Sequence, residues 1–111
     1  MKAYLPGKVD FISVTFDPPS GHEQKGRRPA LVVSNILFNR QTGLAIVCPL
    51  TTTHRGYPFP VAVIGNPDVK GFGMVEQVKT IDYRARQPKS VGKASEDLLD
   101  EVLPILDACI Y

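Results

Sequence analysis

Residues 9–16 carry the first clear pattern. Ile12, Val14 and Phe16 fall on one face at strand spacing, and the run is rich in β-branched and aromatic residues. Residues 17–21, Asp-Pro-Pro-Ser-Gly, form a turn cluster that opens a longer loop through Arg28. A second strand is expected over residues 29–34, where continuous apolar character implies burial on both faces. Residues 35–43 read as polar and turn-like, with one short helical turn near Ile36 to Asn39. Residues 44–50 give a third strand. Pro49 withholds one ladder donor, so that end is expected at an edge or bulge. A polar connection follows over residues 51–58. Residues 59–64 read as a fourth strand, 65–68 as a turn and 72–80 as a fifth strand, with 89–93 adding a short one.

From Ser95 the period changes. Leu98, Leu99, Val102, Leu103 and Leu106 recur at helical spacing, Ser95 suits the N-cap, and Glu96 and Asp97 suit the first turn. Pro104 interrupts this helix, removes the hydrogen bond to Asp100 and is expected to kink it. Ten prolines and nine glycines at short intervals favour short strands. The expected class is mainly β (α+β): a small antiparallel barrel of about five strands with a helix packed outside. Periodicity alone leaves SH3-like and OB-like barrels open.

Composition narrows this further. The 111 residues, 43% hydrophobic and 22% charged, fit one domain over residues 1–111 with a single modest core. No apolar run approaches the ~18 residues that a membrane helix needs, and residues 1–7 lack the layout of a signal peptide, so a cytoplasmic protein with no membrane contact is expected. Cys48 and Cys109 form no CxxC pair and have no ligand spacing to His22 or His54, so both are expected as buried small hydrophobes, with no metal site.

The net charge of +2 points away from nucleic acid, but the charges are segregated. Residues 95–111 hold Glu96, Asp97, Asp100, Glu101 and Asp107 and no Lys or Arg, a net of −5, which leaves +7 on the rest. The basic excess clusters at Lys25, Arg27 and Arg28, at Arg55, and at Lys79, Arg84 and Arg86. Several basic loops meeting at one barrel mouth attract phosphates. On this reading the acidic helix faces away from that mouth.

The most informative stretch runs from Phe16 to Ser34. Arg28 precedes Pro29, which biases it toward an extended backbone and so toward a rigid element. An arginine so held is a natural phosphate clamp, because its planar fork matches phosphate oxygens. The signature Gly21…Glu23-Gln24…Gly26-x-Arg28-Pro29-Ala30-Leu31-Val32-Val33 resembles the MazF family of toxin endoribonucleases. Pro49-Leu50-Thr51-Thr52 with Gly56-Tyr-Pro-Phe59, the run Glu76-Gln77-Val78-Lys79-Thr80-Ile81-Asp82 and the closing helix extend the resemblance over nearly the whole chain.

The resemblance implies an SH3-like barrel, a homodimer and metal-independent, sequence-specific cleavage of single-stranded RNA, usually mRNA, with no cofactor. It also implies an antitoxin partner whose acidic tail covers the RNA groove, with DNA reached only through that antitoxin. It sets the catalytic arginine on Arg28 and the catalytic threonine on Thr51. Glu23 falls where some members use an acid/base carboxylate. Cleavage without metal uses the ribose 2′-OH as internal nucleophile and leaves a 2′,3′-cyclic phosphate and a 5′-OH end. Arg28 suits the charge on the phosphorane, and the Thr51 hydroxyl can donate to the same phosphate.

Glu23 fits two roles, a general base or a salt bridge that orients Arg28; the neighbouring cations would depress its pKa and weaken it as a base. His22 stands where many members carry a small residue, and it suits acid/base work, stacking on a base or no role at all. Ser20, Gln24, Lys25, Arg27, Thr52, Thr53 and Arg55 in loops, with Gln77 on a strand and Lys79 beside it, are candidate RNA contacts. Phe16 and Tyr57 suit stacking or the core. Two other classes remain open: a gyrase-poisoning toxin of the same fold, and a non-catalytic RNA-binding barrel. The Glu23, Arg28 and Thr51 constellation favours the nuclease, because a pure binder has no need of it.

Overall fold

The computed structural model describes residues 4–16, 26–52, 60–64, 66 and 69–110. Among these, seven strands form one curled antiparallel sheet: β1 (Asp10–Phe16), β2 (Gly26–Val32), β3 (Leu44–Thr51), β4 (Pro60–Val63), β5 (Gly71–Met74), β6 (Lys79–Asp82) and β7 (Lys89–Lys93). The order is β4-β5-β3-β2-β1-β7, with β6 also paired to β3. Helix α1 (Ile36–Thr42) joins β2 to β3, and α2 (Glu96–Ile110) closes the chain. The mainly β class and the terminal helix are as expected.

Of the two strands beyond about five, β7 falls on the short run expected over residues 89–93, and the other comes from one break. The run over residues 72–80 is split by the 3₁₀ turn Val75–Gln77 into β5 and β6, so Gln77 lies in a turn and not on a strand. That break also corrects the expectation for Pro49. β3 is flanked on both sides, and Pro49 pairs with Ala30 of β2. On its other side the β6 ladder ends at Val47↔Lys79 and the β5 ladder begins at Leu50↔Gly73. The missing N–H therefore falls at a gap between two neighbours, where it interrupts no ladder.

The strands β1 to β3 are buried on both faces, which explains the unbroken apolar run in β2. Phe11, Leu31, Cys48 and Leu50 face α2, where they meet Val75, Leu98, Leu99 and Val102. Ile12, Val14, Ala30, Val32, Ala45 and Val47 face the other way and meet Ile81 and Tyr83. α2 is capped by the Ser95 hydroxyl, which accepts from the Leu98 N–H at 3.2 Å. It runs through Pro104 as one helix. Pro104 and Asp100 are both exposed, so the unpaired Asp100 carbonyl faces water, which lowers the cost of the proline. No helix among the described residues is long and apolar enough to cross a membrane.

Asn39, fully buried in α1, ties three segments together. Its side-chain oxygen accepts from the Ser34 hydroxyl, its amide donates to the Pro6 carbonyl at 2.8 Å, and its backbone carbonyl accepts from Tyr83 Oη at 2.9 Å. These bonds anchor the N-terminal segment and Tyr83, the largest fully buried side chain, against the sheet. Gly43 ends α1 in a left-handed conformation, φ 73°, and its N–H also meets the Asn39 carbonyl.

One of the two cysteines departs from the expectation. Cys48 is buried, but Cys109, near the end of α2, is exposed. Burial, then the nearby Glu76 and Cys109, push the Cys48 thiol up to about 12. The carboxylate oxygens of Glu76 are themselves buried, with no hydrogen-bond partner among the described residues. At pH 8 the Cys48 sulfur therefore stays protonated and shielded, while Cys109 is accessible. A disulfide thiol reagent is expected to titrate one thiol per native chain at pH 8 and two in denaturant; equal native reactivity of both cysteines would contradict this placement.

Candidate functional site

Arg28 lies in β2 opposite Val14 of β1, in extended backbone as the following proline demands. Strand alternation sets its side chain on the face of Ala30 and Val32, away from α2. Thr51, at the end of β3, shares the face of Val47 by the same alternation. The β2–β3 ladder pairs Val32↔Val47, Leu31↔Cys48 and Ala30↔Pro49. The ladder ends at Ala30↔Pro49, and the same register carried two residues further would bring Arg28 level with Thr51. Directly opposed residues on antiparallel strands hold their Cβ atoms about 5 Å apart. A guanidinium and a hydroxyl at that spacing can donate to one phosphate.

The row continues on the far side of Thr51. Phe72 of β5 pairs with Thr51, and Ala62 of β4 pairs with Phe72. Phe72 was not among the sequence candidates, since it reads as an ordinary strand aromatic until the pairing sets it beside Thr51. It is half-buried, so it flanks the polar pair with an aromatic edge or face. Gly71 secures this junction. Its φ is 120°, and a Cβ there would lie 2.3 Å from the Thr51 carbonyl oxygen. Only glycine lets β5 approach β3 this closely.

The remaining described candidates separate. Lys79 pairs with Val47, four residues along β3 from Thr51, or about 13 Å at strand rise. It shares the face of Arg28 but sits beyond the reach of the same phosphate group. Thr52 is exposed at the end of β3, and Gln77 is half-buried in the turn before β6. Arg27 is on the opposite alternation from Arg28. It donates to the backbone carbonyls of Ser13, at 3.1 Å, and Gln87, at 2.7 Å. Ser20, His22, Glu23, Gln24, Lys25, Thr53 and Arg55 lie outside the described residues.

The acidic helix faces away from this site, as the charge segregation suggested. α2 packs on Phe11, Leu31, Cys48 and Leu50, the face opposite to Arg28 and Thr51. Glu96, Asp97, Asp100, Glu101 and Asp107 are all exposed on it. The sheet and its two apolar layers thus separate the negative helix from the cationic row.

Comparison with known proteins matches residues 8–110 to the family described as PemK-like, MazF-like toxin of type II toxin-antitoxin system. The chain is 41% identical over 96 residues to the endoribonuclease toxin MazF of Escherichia coli K12, covering 86% of each. Among solved structures it resembles MazF from Deinococcus radiodurans with a TM-score of 0.90 and 36% identity, over 97% of this chain and 98% of that one. It resembles a MazE–MazF complex from the same organism with a TM-score of 0.86 and 36% identity, over 97% of each chain.

Gly71→Ala is expected to lower stability by about 2 kcal/mol or more, because it combines a left-handed backbone with a clash at Thr51. Urea denaturation measures this. A loss below about 0.5 kcal/mol would show that β5 does not press on Thr51 as described.

Proposed function

This chain belongs to the PemK-like, MazF-like toxins of type II toxin-antitoxin systems, and on that premise we propose that it cleaves single-stranded RNA at the row formed by Arg28 and Thr51. The named relatives are endoribonucleases, and an RNA-cleaving toxin neutralised by an antitoxin is the activity that these relationships support. The observation that supports the assignment of residues is the β2–β3 register, whose extension past Ala30↔Pro49 would bring a guanidinium and a hydroxyl side by side on the face turned away from the acidic helix.

The chemistry follows from those groups. The ribose 2′-OH gives up its proton to a base and attacks the adjacent phosphorus, the P–O5′ bond breaks, and the departing O5′ takes up a proton from solvent, so the products are a 2′,3′-cyclic phosphate and a 5′-OH end. The nucleophile is internal to the substrate, so the protein need not activate a water with a metal. Arg28 supplies two parallel N–H donors to the phosphorane oxygens, whose charge grows toward the transition state. Thr51 donates its hydroxyl to the same phosphate. Glu23, from the loop that leads into β2, either takes the 2′-OH proton or orients Arg28. Lys79 holds a phosphate further along the strand, and Thr52, Gln77 and Phe72 offer hydrogen bonds and a stacking surface to bases. Ser20, His22, Gln24, Lys25, Thr53 and Arg55 are further proposed contacts to the RNA.

A cognate antitoxin is the expected protein partner. An acidic segment suits the cationic row, where it would compete with RNA. We also propose a homodimer. Exposed Ile64 and Ile110, 84% and 67% accessible, give a second copy apolar surface to cover.

The test is incubation of the purified protein with mixed RNA in EDTA, followed by sequencing of the 5′-OH ends. Recurrent cleavage at one short motif is expected, with Arg28→Ala slower by about 10²–10³-fold. Intact RNA at every protein concentration would overturn the reading. Sedimentation that finds only a 12.2 kDa species at all concentrations would overturn the dimer.

A further inference from the structure

The end of β1 that pairs with Arg28 has, among the described residues, no strand on its other side. The last β1–β7 pair is Ser13↔Lys89, whereas the β1–β2 ladder continues through Val14↔Arg28 and Thr15↔Arg27 to Phe16↔Gly26. Among the described residues, no strand supplies donors to the backbone carbonyls on that edge. Two arginines supply them instead. Arg86, half-buried at the end of the 3₁₀ turn Tyr83–Arg86, donates to the Thr15 carbonyl at 3.1 Å. Arg27 donates through one terminal nitrogen to the carbonyls of Ser13 and Gln87, and through the other to Thr15 Oγ1 at 3.4 Å. Gln87 offers its carbonyl from a left-handed backbone, φ 50° and ψ 61°, uncommon for a residue with a side chain.

We propose that Arg27 and Arg86 are positioning residues that clasp the open end of the β1–β2 hairpin to the Tyr83–Arg86 turn and so fix the direction in which Arg28 presents its fork. The inference rests on reading Arg28 as the phosphate donor. Arg27 directs three of its five N–H donors to the protein, and on this proposal its main part is to hold the backbone beside Arg28. The clasp also holds the stem of the loop that carries Glu23, since its contacts fall at Thr15↔Arg27, one pair before the ladder ends at Phe16↔Gly26. A lysine keeps the charge but loses the fork: at position 27 one ammonium on a flexible stem cannot span the Ser13 and Gln87 carbonyls together, and at position 86 it gives up the rigid planar donor aimed at the Thr15 carbonyl.

The test compares Arg27→Lys, Arg27→Gln and Arg86→Lys with the parent protein on a short RNA containing the cleavage motif. Single-turnover rates report the chemical step. Binding is measured with the same RNA carrying a 2′-deoxy nucleotide at the scissile position, across a range of salt. Thermal melting identifies the temperature range in which each variant is folded. The expected result is a rate about 10- to 100-fold lower in all three variants, as for a slightly misplaced reacting group. Affinity for the deoxy RNA should stay within about twofold, with the same salt slope, because no phosphate contact has been lost. Normal cleavage by the folded variants would overturn the proposal and leave the clasp merely structural. So would retained rate with weakened binding and a salt slope about 0.7 shallower in Arg27→Gln, the signature of a lost phosphate contact on single-stranded RNA. Arg28→Ala is run alongside: full activity in that variant would remove the underlying reading of Arg28, a failure distinct from that of the clasp.

Discussion

The antiparallel register between β2 and β3 is the constraint on which the proposed site depends. Val32↔Val47, Leu31↔Cys48 and Ala30↔Pro49 are the pairs that set it, and carried two residues further it would bring Arg28 level with Thr51. A slip of one residue would turn every side chain to the other face. Arg28 would then point toward α2, and Leu31 would leave the layer that holds Leu98 and Val102. Because β2 is buried on both sides, such a slip would misplace two apolar layers at once. The hydrophobic core thus specifies the relative placement of two polar side chains at its margin. That arrangement suits chemistry that demands donors fixed in advance around a developing charge.

The same sheet separates charge. A chain of net +2 carries −5 in its last seventeen residues, and the structure packs that helix on the face opposite to the cationic row. The helix is separated from that row by the sheet, so an anionic ligand at the row meets the basic side chains directly and the acidic ones only from the far side. Its acidic residues are free to serve solubility and the N-terminal end of the helix dipole, where Glu96 and Asp97 lie.

Much of this was legible in the sequence because it depends on local pattern. Alternation gave β1, continuous apolarity gave the two-sided burial of β2, and Ser95 with the leucine spacing gave α2. Pro29 announced the extended backbone of Arg28. The features that escaped are those created by contacts between distant segments. The break at Val75–Gln77 and the tolerance of Pro49 are one feature, a ladder gap that neither residue reveals alone. Asn39 reads as a polar turn residue until Pro6 and Tyr83 close around it, from 33 and 44 residues away. Arg86 and Thr15 are 71 residues apart, so nothing local marks their bond. Cys109 shares the helical face of Val102, but α2 outruns the core before reaching it, which leaves the thiol exposed.

The central claim is that Arg28 and Thr51 act on one phosphate as a cross-strand pair. A double-mutant cycle on cleavage, with Arg28→Ala, Thr51→Ala and the combined variant, tests it most directly. Two donors that share one phosphate act as a unit, so the double variant should lose far less than the product of the single losses. A coupling of at least about 1 kcal/mol in the barrier is the expected result. Single effects that multiply within error would contradict it and would mean that the two residues serve separate parts of the RNA.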